Sequence, residues 1–173
     1  MEEDPPEPIN AYGATKWAGE SRLERHPVLS TVLRTSWLYG GPGKSFLHTI
    51  LRRGKEALSR GEPLRVVNDQ RGSPTDVSSL ASQVRRLLGE GVTGLFHASS
   101  AGEVSWFEFA LEILRRADIG VRLEPISSAE YRLRARRPPY SSLASRRLEA
   151  AGLLVLPPWK EGLDRAWREL VVR

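Results

Sequence analysis

The sequence predicts an α/β fold built on a parallel sheet. Two observations carry this. Stretches with apolar residues at helical spacing alternate with short runs rich in β-branched residues. The first helical stretch also leads directly into a buried-type strand, which is half of a strand–helix–strand unit. A chain of 173 residues that is 40% hydrophobic can bury a core of its own.

Residues 1–8 read as a loop. An amphipathic helix is expected over Asn10 to Glu24, stopped ahead of Pro27. The run from Val28 to Leu38 contains a short strand core, closed by Gly40-Gly41-Pro42-Gly43. From Ser45 to about Arg60, Phe46, Leu47, Ile50, Leu51 and Leu58 recur at helical spacing, and Gly61 is the stop. Leu64 to Val67 form a strand that opens into the polar segment Asn68 to Thr75. That segment suits a ligand-presenting loop, or a connector whose Asp, Ser and Thr cap the next helix, Asp76 to Leu88.

Gly94 to Ser99 read as a second core strand. Ser105 followed three residues later by Glu108 is a capping box that opens another helix. Residues 121–126 suit one more strand. Arg136 to Leu143 form a basic, Pro-broken turn before a helix at about 144–151. A last amphipathic helix runs from Trp159 to Val171, with Leu163, Trp167 and Leu170 on one side.

Composition excludes several function classes. With Cys 0 there is no disulfide frame, thiolate nucleophile or thiolate metal site. His26, His48 and His97 lack metal-ligand spacing, so no metal is expected. The net charge of +5 and pI near 10.0 raise the question of nucleic acid. The basic residues are nevertheless spread among Glu and over several helices, with one denser stretch at Arg132 to Arg137, and no aromatic–basic stripe accompanies them. Some of this charge can serve an anionic ligand such as a diphosphate. No apolar run reaches the roughly 18 residues of a membrane span. The acidic, Pro-rich start is unlike a secretory signal, so a cytoplasmic protein is expected.

The chemistry concentrates in Tyr12 and Lys16. Four residues apart on a helix, they share a face. A lysine ammonium beside a phenol favours the phenolate. Lowering a tyrosine from about 10 to about 7 takes roughly 4 kcal/mol, within reach of one close cation. Such a pair is a poised proton donor for a carbonyl oxygen receiving a hydride.

In order, the motifs Y-G-A-T-K-W-A-G-E, R-T-S-W-L-Y-G, N-D-Q-R-G-S-P-T, G-L-F-H-A-S-S-A-G-E-V-S-W-F-E-F-A and R-P-P-Y-S-S-L resemble the extended short-chain dehydrogenase/reductases. More narrowly, they are similar to the dTDP-4-dehydrorhamnose reductases, which reduce a 4-keto sugar nucleotide with NADPH or NADH. The resemblance implies a partial Rossmann-type parallel sheet plus a smaller α/β substrate-binding domain. Residues 1–43 and about 90–100 would be the remnant of the dinucleotide-binding domain, and 44–89 with 101–173 the substrate-binding part. It implies Tyr12 as proton donor, Lys16 as its tuner and a ribose ligand, and Ser36 on the cofactor side. Trp37, Gln70 and Arg137 would face a dTDP-sugar.

The family's G-x-x-G-x-x-G diphosphate turn does not occur in this sequence, since Pro42 and the spacing disqualify Gly40 to Gly43. The resemblance therefore covers the family's C-terminal half. It raises the expectation of a homo-oligomer, or of a partner chain carrying the Gly-rich half, to cover an open sheet edge. The alternative is a catalytically inactive sugar-nucleotide-binding or regulatory module.

Overall fold

A computed structural model describes residues 1–26, 28–131 and 135–171. Pro27, and Arg132 and Arg134 of the basic stretch, lie outside the described residues. The order is α1 (Ala11–Glu24), β1 (Thr31–Arg34), β2 (Leu38–Tyr39), α2 (Phe46–Arg60), β3 (Leu64–Val67), β4 (Arg71–Gly72), β5 (Thr75–Asp76) and α3 (Val77–Glu90). There follow β6 (Gly94–His97), β7 (Val104–Ser105), α4 (Trp106–Arg116), β8 (Leu123–Ile126), α5 (Arg146–Ala150) and α6 (Trp159–Val171).

The expected α/β class with parallel pairing is observed. The strands form four separate two-stranded pairs. Three are parallel, with Thr31 opposite Gly94, Leu38 opposite Thr75 and Leu64 opposite Leu123. The fourth, β4 with β7, is antiparallel.

Helix ends follow local chemistry. The Asn10 side chain accepts from the Gly13 amide, Asp76 Oδ1 from Ser79, and the Ser105–Glu108 box closes in both directions. Gly61 ends α2 in the left-handed conformation, φ 67°, which glycine reaches without a Cβ clash.

Two clusters hold the chain together. The larger joins α2, α4, α6 and β3 through Leu47, Ile50, Val66, Phe109, Ile113 and Leu163. The smaller packs Leu87, Leu148, Leu153 and Leu156 around Ala98, with Leu33 and Phe96 against them.

Two expectations are corrected. α1 is not amphipathic, because it buries no residue. Steps of 100° per residue put Tyr12 and Leu23 on one side and Trp17 on another, so no apolar stripe forms. The short strand core expected within 28–38 is observed as β1, and Trp37, at φ 45°, stands between it and β2. The segment Asn68 to Thr75 is not simply a loop, since it contributes β4 and the start of β5. Among the described residues no helix is long and apolar enough to cross a membrane, and no group of three or more potential metal ligands occurs.

Phe109 is fully buried where α4 meets α2 and α6. Phe109→Ala should cost about 3–5 kcal/mol, read from the urea-unfolding midpoint, while the same change at exposed Leu88 should leave it nearly unmoved. On α4, hydrogen bonds from Arg115 first, and then Arg116, hold the Glu112 carboxyl down at about 2. A depressed carboxylate stabilises the fold above its unfolded value and loses that contribution as pH falls through the folded one. Glu112→Gln should therefore flatten the stability loss between pH 4.5 and about 2 in an acid titration followed by circular dichroism.

Candidate active site

One large cleft, about 790 Å³, opens between the N-terminus of α1, the β1–β2 break, α2, β3 and the 137–141 segment. It gathers Tyr12, Ser36, Trp37, Gln70 and Arg137, residues up to 125 positions apart in the chain. Lys16 is not part of its lining. It sits one turn along α1, with Nζ 5.4 Å from the centre of the Tyr12 ring.

Trp37 is the most constrained of these residues. Its left-handed backbone turns the indole onto Trp106, centroid to centroid 3.4 Å and 3° from parallel. Its Nε1 donates to Ser141 Oγ at 2.9 Å. Gly72 lies so close that a Cβ there would stand 2.4 Å from the ring. Behind Trp106, Phe46 and then Phe109 continue the aromatic contacts into the core.

The 136–141 segment is pinned beside the indole. Arg71 N donates to Pro139 O, Ser141 N donates to Arg71 O, and Ser36 Oγ donates to Ser141 O at 2.8 Å. Ser36 thus lines the cleft with its hydroxyl hydrogen already engaged, leaving an acceptor for a ligand. Gln70 is 6% exposed and lines the cleft, yet its amide makes no hydrogen bond to the described residues. A nearly buried primary amide in that state has donors and an acceptor free for a ligand.

Arg137 is exposed, with no ion pair among the described residues. Sequence reasoning missed Arg53 and Arg65, which also line the cleft. Arg65 pairs with Glu130 at 3.2 Å, and Arg53 reaches Tyr131 Oη at 3.5 Å. A signal for Arg53 was present, because Phe46, Thr49, Ile50 and Arg53 share one face of α2. The lining combines a phenol, a nearly buried amide, aromatic rings and guanidiniums.

Tyr12 is 72% exposed, and neither its hydroxyl nor the Lys16 ammonium bonds to a described residue. Both polar groups are thus open to a ligand or to a further polypeptide segment. Gly40, Gly41 and Pro42 line only a hollow of about 80 Å³ beside His48 and Glu169, too small for a dinucleotide diphosphate.

The RmlD substrate binding domain family matches residues 1–172. The chain belongs to that family. The dTDP-4-dehydrorhamnose reductase of Shigella flexneri is 36% identical over 98% of this chain and 59% of its own length. A probable dTDP-4,6-dihydroxy-2-methyloxan-3-one 4-ketoreductase of Streptomyces antibioticus is 38% identical, over 98% and 57%. The crystal structure of dTDP-4-dehydrorhamnose reductase from Bacillus anthracis in complex with NADP superposes with a TM-score of 0.91 at 41% identity, covering 97% of this chain and 58% of that one. The chain thus spans less than two thirds of the length of these relatives.

Within this RmlD-type domain, Gly72 leaves the Trp37 indole no room to give. Gly72→Ala should displace the ring and erase the tryptophan near-ultraviolet circular dichroism of the Trp37–Trp106 stack, with helix content retained. An unchanged spectrum would show that the stack does not depend on that close approach.

Proposed function

We propose that this chain is the substrate-binding part of an NAD(P)H-dependent reductase acting on the 4-keto group of a dTDP-6-deoxy sugar, in dTDP-L-rhamnose biosynthesis. The observation that carries this is one cleft that brings the Tyr12 phenol together with an aromatic wall and unpaired cationic and amide groups. The names of the relatives point to the same chemistry.

NADPH or NADH, when bound, supplies the hydride. Tyr12 gives its phenolic proton to the C4 oxygen as that carbon is reduced, so no alkoxide has to be released into water. Lys16, one turn along the same face, offsets the negative charge left on the phenolate and meets the nicotinamide ribose. Trp37 lies against the sugar or its base. The Gln70 amide hydrogen-bonds the ligand, and Arg137, with Arg53, neutralises the diphosphate. Ser36 contributes its remaining acceptor on the cofactor side.

Residues 1–43 and about 90–100 form the cofactor-facing part in this reading, and 44–89 with 101–173 the substrate-binding part. The diphosphate of the cofactor needs a Gly-rich turn, so turnover is expected only where the family's Gly-rich half accompanies these residues; a homo-oligomer or a partner would serve to cover the open edge of β1. The setting is cytoplasmic, where sugar nucleotides and reduced nicotinamide cofactors are held.

Titration calorimetry with dTDP is the first test. Binding by the 173-residue chain, weakened about tenfold or more by Trp37→Ala, supports the reading; no binding of dTDP by the parent chain overturns it. With the Gly-rich half supplied, Tyr12→Phe should lower kcat about 100-fold or more and leave cofactor affinity nearly unchanged. Undiminished turnover in that variant removes Tyr12 from its role. If dTDP binds but the reconstituted protein turns nothing over, the chain is the inactive sugar-nucleotide-binding module.

A further inference from the structure

The helix that carries Tyr12 and Lys16 is held unlike the other long helices. α2, α3, α4 and α6 each bury apolar or small side chains, whereas α1 buries none. Two polar links tie its side chains to the rest of the molecule. Glu20 receives a bidentate pair from Arg34 of β1, with distances of 2.6 and 3.1 Å among its contacts. At the other end, beside the cleft, Asn10 works in two directions. Its Oδ1 accepts from Gly13 N at 2.8 Å and caps α1, while its Nδ2 donates to Arg136 O at 2.9 Å.

The second of these bonds spans 126 residues and lands one position before Arg137. Beyond Arg137, the same segment is pinned at Pro139 and Ser141 to Arg71, Ser36 and Trp37. Among the described residues, Asn10→Arg136 is the one hydrogen bond joining α1 or its cap to this segment. Among the described residues α1 is therefore located by such bonds and not by interlocked side chains.

We propose that Asn10 is a positioning residue: it straps the N-terminus of α1 to the 136–141 segment and so sets the placement of Tyr12 relative to Arg137 across the cleft. This rests on the reading of the cleft as a sugar-nucleotide site. Asn suits the task because it offers an acceptor and a donor on one short side chain. Ser and Asp match it as helix caps, but neither carries an amide donor to span the second gap.

The test separates strap from cap. Asn10→Ser keeps a capping oxygen and loses the Nδ2 donor; Asn10→Ala loses both. Asn10→Ser should hold the parent Tm, whereas Asn10→Ala lowers it. Both should weaken dTDP binding about fivefold by calorimetry. Hydrogen–deuterium exchange over residues 135–143 should speed up in both variants, with α6 unchanged. Parent-like dTDP affinity and exchange in Asn10→Ser overturns the proposal. So does a Tm loss in Asn10→Ser as large as in Asn10→Ala, because the residue would then be acting through the fold alone. Should the parent chain itself fail to bind dTDP, the sugar-nucleotide reading falls, and the exchange comparison still decides the strap: unchanged rates over 135–143 refute it.

Discussion

The contact of Trp37 with Trp106 joins the cleft to the interior. A ring stacked at 3.4 Å on one face and approached by the Gly72 backbone has almost no freedom to rotate. Trp106 begins α4, and α4 supplies the fully buried Phe109 and Ile113. The wall of the cleft is thereby continuous with the larger buried cluster. The hydrogen bond from Trp37 to Ser141 then passes that rigidity on to a Pro-rich segment that meets the strands through a single bridge, Tyr140 opposite Arg71.

Against that fixed wall stands a helix that buries no side chain among the described residues. α1 presents Tyr12 and Lys16 from a surface element, tethered by an ion pair and by a cap that doubles as a cross-link. The two sides of the cleft are therefore built on different physics. One side is located by packing, the other by directional polar bonds whose strength depends on solvent. A buried phenol elsewhere shows the contrast. Tyr39, enclosed and beside the Asp76 carboxylate, has its ionisation pushed far upward, by burial first and then by that charge.

Much of this was legible in the residues. Helices with a single apolar face, α2 and α6, and helices with capping chemistry, α3 and α4, appear within one or two residues of where periodicity and caps put them. Leu64 to Val67 form the expected strand at its expected bounds. What was hidden has a common cause. The two-residue strands β4, β5 and β7 exist only because distant backbones meet, and two residues carry no period. The φ 45° of Trp37 has no local signal in the sequence, because a non-glycine residue seldom adopts it. For the site, Tyr12, Ser36, Trp37, Gln70 and Arg137 do share a cleft, but Arg65, an exposed strand cation at its rim, gives no sign in the sequence of lying beside it. The Asn10 cross-link was likewise unreadable, because a good cap residue gives no sign of a second partner 126 positions away.

The close approach of Gly72 to the indole also limits how this domain can drift through mutation. Any side chain at position 72 collides with a ring that cannot retreat, since Trp106 backs it. A smaller residue at position 37 would tolerate a larger one at 72, yet either change made first leaves a void or a clash. The two positions, 35 apart in sequence, are therefore exchangeable only as a pair. The lineage of such a domain is confined to routes in which both change almost together, or neither does.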